Sequence, residues 1–211
     1  MSGINIIKKG DLVFDVGANV GNKSKEYLTM GASVIAFEPQ FECYQELKKL
    51  PIDCENIALG EKKGIENLFI SETNTLSSMS EDYISAVKQE RFKDNMWGGA
   101  YTVQTDTLDN MVDKYGTPKY IKIDVEGYEL NVLKGLTKPI EYISVEFTPE
   151  FISETIKCID YLPKSLYNYI SQENDYFTFI RWLERDEMVA FLQSITDHKI
   201  EFGDVYIHRK M

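Results

Sequence analysis

The segment Val13-Phe14-Asp15-Val16-Gly17-Ala18-Asn19-Val20-Gly21 restricts the fold more than any other part of this 211-residue chain. An apolar run that ends in an acid and then in two spaced glycines reads as a buried strand turning sharply into a helix. The glycines permit the tight turn and let a ligand approach the backbone amides at the helix N-terminus. The flanking pattern extends this unit. Leu12–Val16 is expected as a strand, Lys23–Met30 as a helix stopped by Gly31, and Ser33–Phe37 as a second strand. Phe41–Leu50 then reads as a helix ended by Pro51, and Ile52–Ile57 as a third strand. Strands alternating with helices call for right-handed crossovers and a parallel sheet covered on both faces, a doubly wound α/β fold.

Residues 58–118 break the rhythm. They hold an apolar run at Ile65–Ile70, the polar stretch Ser71-Glu72-Thr73-Asn74-Thr75-Leu76-Ser77-Ser78, and a Gly98-Gly99 turn before Tyr101–Thr105. A helix is expected from Thr107 to Tyr115. A long polar segment inside a compact domain is usually functional, so an insertion around 60–106 is placed near the site. Alternation resumes with a strand at Tyr120–Val125, a helix at Glu129–Leu136 and a strand at Tyr142–Phe147. Beyond Pro149 a Tyr/Leu-rich segment reads as helical. It is followed by a strand at Tyr176–Ile180, a helix at Glu184–Ile195 and a last strand at Asp204–His208. The length fits one domain over 1–211 with an ample core, and no repeat or low-complexity tract divides it.

Charge narrows the partners. Thirty-four acidic against 23 basic side chains give a net charge of −11 with no dense Lys/Arg run. Such a surface repels polyphosphate backbones, which disfavours nucleic acid and leaves small molecules or polar polymers without phosphate. No apolar run approaches the roughly 18 residues of a membrane span. The start of the chain lacks an apolar signal region, and the three cysteines, Cys43, Cys54 and Cys158, are odd in number and widely spaced. Reduced thiols and a cytoplasmic location are expected, where the sequon Asn22-Lys23-Ser24 has no meaning.

The second strand ends in Glu38-Pro39, about twenty residues after the glycine loop, where a carboxylate can accept hydrogen bonds from both hydroxyls of a ribose. An adenosine-containing ligand is implied. A dinucleotide fingerprint needs G-x-G-x-x-G, whereas Asn19 and Asn22 stand where two of its glycines would be. Asp15 would repel a pyrophosphate but attract an ammonium. S-adenosylmethionine carries that ammonium and a sulfonium, and no phosphate. A plain βα turn with Asp15 capping the helix is the alternative for the loop alone.

A second strand-to-turn segment, Tyr120-Ile121-Lys122-Ile123-Asp124-Val125-Glu126-Gly127, puts Lys122, Asp124 and Glu126 on one side by period-two alternation. Asp124 then lies at the carboxyl end of a strand beside the first, where open α/β sheets bind ligands. Glu126 reads equally well as a helix cap, and Glu129 as an acid favouring the positive helix end.

These segments, with Asn56-Ile57-Ala58-Leu59-Gly60, Thr107-Leu108-Asp109 and Val132-Leu133-Lys134-Gly135, resemble the FkbM family of S-adenosylmethionine-dependent methyltransferases. The resemblance covers roughly residues 10 to 150; beyond Pro149 the match is loose. It implies a class I, Rossmann-like methyltransferase fold, a doubly wound seven-stranded sheet, mostly parallel with the last strand antiparallel. It also implies that the methionine end of the cofactor lies over Asp15, Gly17 and Gly21, with Ala18 and Asn19 lining it. Glu38, followed by Pro39, would hold the ribose, and the Asn56-Ile57 backbone edge would reach the adenine. Family members mostly methylate hydroxyl oxygens of small molecules or sugars.

Transfer to an alcohol benefits from a base that takes its proton. His198 and His208 lie in the C-terminal part of the sequence, and His208 reads as structural. The candidates are therefore Asp124, Glu126 and Glu146, with Asp124 also counted among the cofactor contacts. No metal is expected, since hard cations want several oxygens and no further Asp is evidently placed. Two rival classes are an NAD-linked oxidoreductase and a non-catalytic cofactor-binding module on the same fold. The aromatic stretches Tyr161–Tyr169 and Tyr176–Phe179 would serve either as core or as a stacking surface for the acceptor.

Overall fold

A computed structural model describes residues 6–89, 92–171, 174–195 and 202–209. In chain order the elements begin β1 (Leu12–Val16), α1 (Asn22–Thr29), β2 (Ser33–Phe37), α2 (Phe41–Leu47), β3 (Asp53–Glu55), β4 (Ala58–Leu59), β5 (Gly64–Ser71) and α3 (Glu81–Gln89). They continue β6 (Trp97–Asp106), α4 (Leu108–Tyr115), β7 (Tyr120–Ile123), α5 (Glu129–Lys134), β8 (Tyr142–Phe147), α6 (Ile152–Tyr161), β9 (Ser165–Ser171), α7 (Arg185–Ser194) and β10 (Gly203–Arg209).

Seven strands form the main sheet in the order β3-β2-β1-β7-β8-β10-β9. Strand β1 lies between β2 and β7, parallel to both, and Val13–Val16 are wholly buried. Burial on both faces explains why β1 and β7 lack the polar alternation of a half-exposed strand. On one face Phe14, Val16, Ile121 and Ile123 join Met111 of α4, Leu133 of α5, Ile159 of α6 and Leu192 of α7 in one core. On the other, Val13, Val34, Tyr120 and Tyr206 pack with Tyr27 of α1. Only β10 is reversed, pairing antiparallel with β8 and β9. The strand order reverses direction beside β1, between β2 and β7. That places the carboxyl ends of β1, β2 and β7 around one crevice, where such sheets bind ligands.

Residues 58–106 make a separate three-stranded sheet, β4-β6-β5, together with α3. The β5–β6 ladder is antiparallel and shifts register at Ile70/Ser71. Thr107 ends it and starts α4, its hydroxyl accepting from the Asn110 amide at 3.2 Å.

Two expectations are corrected. The Tyr/Leu-rich segment beyond Pro149 is helical only over α6 and continues as the strand β9, and Tyr176–Ile180 is not a strand. All of β9 except Leu166 and Ser171 is buried, so it lacks the alternation that marks a strand. The Tyr176–Ile180 segment does alternate, but it is tied to β9 by a single backbone bond, from the Thr178 amide to the Tyr169 carbonyl at 2.8 Å, and by one side chain. Asn168 donates to the Phe179 carbonyl at 2.9 Å and accepts from the Phe179 amide at 3.2 Å. Other elements also differ from expectation: α2 stops at Leu47, α5 at Lys134, β3 spans only Asp53–Glu55, β7 only Tyr120–Ile123, and Gly98-Gly99 lies within β6 rather than in a turn.

Candidate active site

The glycine loop is pressed onto the end of β7. Gly17 has φ +77°, and a Cβ there would lie 1.8 Å from the Asp124 carbonyl oxygen. Asn19 is left-handed at φ 49°, with its own side-chain oxygen accepting from the Val20 amide at 2.7 Å. The Gly17 and Ala18 amides both donate to the Phe37 carbonyl, tying the loop to β2. Glu38 completes the link, accepting from the Asn19 amide at 2.8 Å and from the Gln40 amide at 2.7 Å. Burial pushes the Glu38 carboxyl up to about 7, against the pull of these amides.

Above the loop opens a cleft of about 110 Å³. Gly17, Asn19, Glu38 and Pro39 line one side, and Ile57 and Leu59 another. Gln40, Asn74 and Ser77 add a polar rim, in which Gln40 bonds both the Asn74 carbonyl and the Ser77 hydroxyl. Beneath the loop Asp15 is fully buried. Its Oδ2 accepts from the Ser24 hydroxyl at 2.6 Å, while Oδ1 has no partner. Burial raises the Asp15 carboxyl above its ordinary value, and the Lys122 charge opposes this.

At the far end of the cleft Asp124, Glu126 and Glu146 bring carboxylate oxygens within 4.8 Å of one another. Asp124 is neutralised by Lys122, whose ammonium lies 2.5 Å from Oδ2 and is itself buried. Burial pulls the Lys122 ammonium down, yet Asp124, Asp204 and Asp15 together hold it well above the usual lysine range. Glu126 occupies the left-handed region at φ 54°, which a non-glycine residue holds only where its surroundings fix it. Those surroundings come from the 58–106 segment. The Ser78 hydroxyl donates to the Glu126 carbonyl at 2.6 Å, and the Tyr83 hydroxyl donates to its carboxylate. Glu129 closes the turn, accepting from the Val125 and Gly127 amides at 3.1 Å each. Burial first, and the Asp124 charge second, push Glu126 and Glu146 well above the usual carboxylate range.

The structure brings together most of the residues picked out by sequence. Gly17, Asn19, Glu38, Pro39, Ile57, Asp124 and Glu126 line the cleft. Glu146 lines a second, small cavity of about 10 Å³ on the other side of the Glu126-Gly127 turn. Four candidates stand behind the surface. Asp15 and Ala18 are buried, Gly21 packs on Leu47 and Leu50, and the Asn56 amide bonds the Glu38 and Pro39 carbonyls. Lys122, Asp204, Ser78 and Tyr83 were missed. Period-two spacing did place Lys122 beside Asp124, but no motif marks the other three. His198 lies outside the described residues. His208 stacks on Tyr142 at 4.5 Å, away from the cleft, and Tyr167 and Tyr169 are core. Among the described residues all three cysteines are free thiols, and no helix is long and apolar enough to cross a membrane.

The hexuronic acid methyltransferase AglP of Haloferax volcanii is 29% identical over 182 residues, covering 85% of this chain and 69% of that protein. Among solved structures, an rRNA methylase from Streptococcus thermophilus is similar at TM-score 0.48 and 7% identity, covering 98% of this chain and 90% of that one. The plantazolicin methyltransferase BpumL is similar at TM-score 0.47 and 12% identity, with 96% and 77% covered. The methyltransferase FkbM domain matches residues 15–181, from the acid of the glycine loop through β9. The chain therefore belongs to the FkbM family of S-adenosylmethionine-dependent methyltransferases.

Proposed function

We propose that this methyltransferase methylates a hydroxyl oxygen on a sugar or similar small polar acceptor. The observation that carries the reading is the carboxylate cluster Asp124, Glu126 and Glu146 at the strand ends bordering the cleft. The residues of the cleft fit the cofactor. Gly17 keeps the loop surface free of a side chain, and behind that bare backbone the orphaned Asp15 Oδ1 is a buried acceptor whose charge would attract an ammonium in the cleft without lining it. Glu38, with free lone pairs beyond its two amide bonds, suits ribose hydroxyls. Asn19 and Ile57 border the remaining space. When bound, S-adenosylmethionine supplies an electrophilic methyl group on a sulfonium.

Holding the acceptor in line with that methyl supplies most of the catalysis, and a base removes the hydroxyl proton. Asp124, paired with Lys122, serves as an anchor. Glu126 faces the cleft, is fixed by Tyr83 and Ser78, and has the raised basicity of a proton acceptor, so it is assigned as the base, with Glu146 beside it. No metal is assigned, because Lys122 already neutralises Asp124 and Tyr83 occupies Glu126. The hexuronic acid acceptor named for AglP supports a sugar. The net charge of −11 supports an acceptor other than nucleic acid and is in keeping with a cytoplasmic enzyme.

The test is transfer of labelled methyl from S-adenosylmethionine to a panel of hydroxylated acceptors by the wild type and the Asp124→Asn, Glu126→Gln and Glu146→Gln variants. Glu126→Gln is expected to lose activity about 100-fold or more while still binding the cofactor. Full activity in all three amides rejects the carboxylate base. Cofactor binding without transfer to any acceptor favours a non-catalytic module, and NADH binding in its place favours an oxidoreductase.

A further inference from the structure

The polar rim of the cleft is built by a loop that closes on itself. Residues 72–77 leave β5 just past its register shift at Ile70/Ser71 and return at Ser78, which pairs with Phe69 through two backbone bonds of 2.9 and 3.1 Å. Between these ends lies a single 3-10 turn, Asn74–Leu76. On the side of its own sheet the loop is well held. Leu76 is buried, the Trp97 indole donates to the Leu76 carbonyl at 3.0 Å, and the Glu72 amide donates to the Met96 carbonyl at 3.0 Å.

Across the cleft the ties are few. Among the described residues, the hydrogen bonds that cross from this loop towards β2 and α2 end on Gln40 and on the Cys43 thiol, the latter a weak contact of 3.5 Å from the Asn74 side-chain amide. The Gln40 carboxamide donates to the Asn74 carbonyl at 2.8 Å and accepts from the Ser77 hydroxyl at 3.0 Å. A carbonyl can only accept, so its partner fixes which way the carboxamide faces. Gln40 and Ser77 are both buried, where water does not readily replace a lost bond.

The place of this tie gives it a consequence for binding. The Gln40 backbone amide holds the Glu38 carboxylate at 2.7 Å, and Gln40, Asn74, Thr75 and Ser77 line the same cleft as Glu38. One residue thus holds the acid suited to the ribose through its main chain, and the loop bordering that acid through its side chain. The other end of the loop is anchored separately, because Ser78 bonds the Glu126 carbonyl.

Resting on the cofactor placement given above, we infer that Gln40 is a positioning residue, whose carboxamide latches loop 72–77 across the cleft and preorganises its ribose side for S-adenosylmethionine. With the latch in place the loop is ordered before the cofactor arrives. Without it, ordering the loop is charged against the binding free energy and affinity falls.

The test compares the full chain with Gln40→Met, which keeps the length of the side chain and the main-chain bond to Glu38 but removes both bonds to the loop. S-adenosylhomocysteine is titrated by calorimetry, and amide hydrogen exchange is followed with and without it. In the wild type the ligand is expected to slow exchange across 72–77. Free Gln40→Met should exchange faster there, and its affinity should be about tenfold weaker, the scale of two lost neutral hydrogen bonds. Ser77→Ala should weaken binding severalfold in the wild type but less than twofold in Gln40→Met, where the bond it removes is already gone. Affinity of Gln40→Met within twofold of the wild type overturns the inference. So does a ligand that binds the wild type and leaves exchange at 72–77 unchanged. If Gln40→Met loses protection throughout β1 and β7 it has misfolded, and Ser77→Ala then decides: severalfold weaker binding supports the latch, and wild-type affinity overturns it. Failure of S-adenosylhomocysteine to bind the wild type would overturn the cofactor placement as well, so the two failures are distinguishable.

Discussion

The Tyr83 hydroxyl donates a hydrogen bond to the Glu126 carboxylate across 43 residues of chain, joining α3 to the turn after β7. Gly127 makes the approach possible, since a Cβ there would lie 2.4 Å from the Tyr83 side chain. The bond favours the ionised form of Glu126, the form a base must have, against burial and the Asp124 charge. Tyr83→Phe removes it. The acidic limb of the pH–rate profile should then move to higher pH, with turnover at neutral pH lower by about tenfold and recovered in part at alkaline pH. Cofactor affinity should stay within about twofold of the wild type. A loss of stability with an unmoved limb would show that Tyr83 only packs.

Gly17→Ala combines two penalties: a left-handed backbone at φ +77° and a Cβ 1.8 Å from the Asp124 carbonyl. The atom in the way is backbone at the end of β7, so β1 and β7 would have to part. A loss of about 3 kcal/mol or more is expected, with cofactor binding abolished. For a chain of this length that is a fall of roughly 6–12 °C in Tm. Gly98→Ala is the control, because nothing lies within 4 Å of its Cβ. Scanning calorimetry and cofactor titration of both variants check the contrast.

What could be read from sequence follows from how local its cause is. Gly17, Asp15 and Glu38 are demanded by a turn and two strand ends, so their spacing alone announces them. Lys122 lies in a quoted motif, yet its role depends on Asp15, the residue opposite it in the β1–β7 register. Ser78 and Tyr83 sit in a polar stretch and an ordinary amphipathic helix, and only the folded 58–106 segment carries them to Glu126. Glu146 was found because it ends a clear strand. Strand β9 was misread because, covered on both faces, it lost the alternation that identifies a strand.

Lys122→Met should destabilise the protein by about 3–5 kcal/mol near pH 8, because Asp15, Asp124 and Asp204 are then left without the cation they share. Asp204 is already pushed up to about 6, chiefly by burial. Without Lys122 the acids take up protons more readily, so the deficit should shrink as pH falls towards 5. Adding Asp124→Asn should restore part of the loss by removing one uncompensated charge. Urea unfolding of the two variants at pH 5 and pH 8 measures this, and an equal deficit at both pH values would contradict the shared-cation account.

Glu38 couples stability to cofactor binding through one proton. Its folded value of about 7 lies above the ordinary glutamate value of 4.5 because of burial. For an acid shifted in this direction, the contribution to stability is fully present below 4.5 and is lost as pH rises through about 7. The loss is of the order of 3 kcal/mol. Glu38→Gln cannot ionise, so its stability should change less than that of the wild type between pH 5 and pH 8. Ribose hydroxyls donating to the carboxylate would favour the ionised form, so the opposite sign applies to binding. The ratio of wild-type to Glu38→Gln affinity for S-adenosylmethionine should rise about tenfold between pH 6 and pH 8, following the ionised fraction. A ratio that stays constant over that range would mean that Glu38 only ties the glycine loop to β2 and does not meet the ribose.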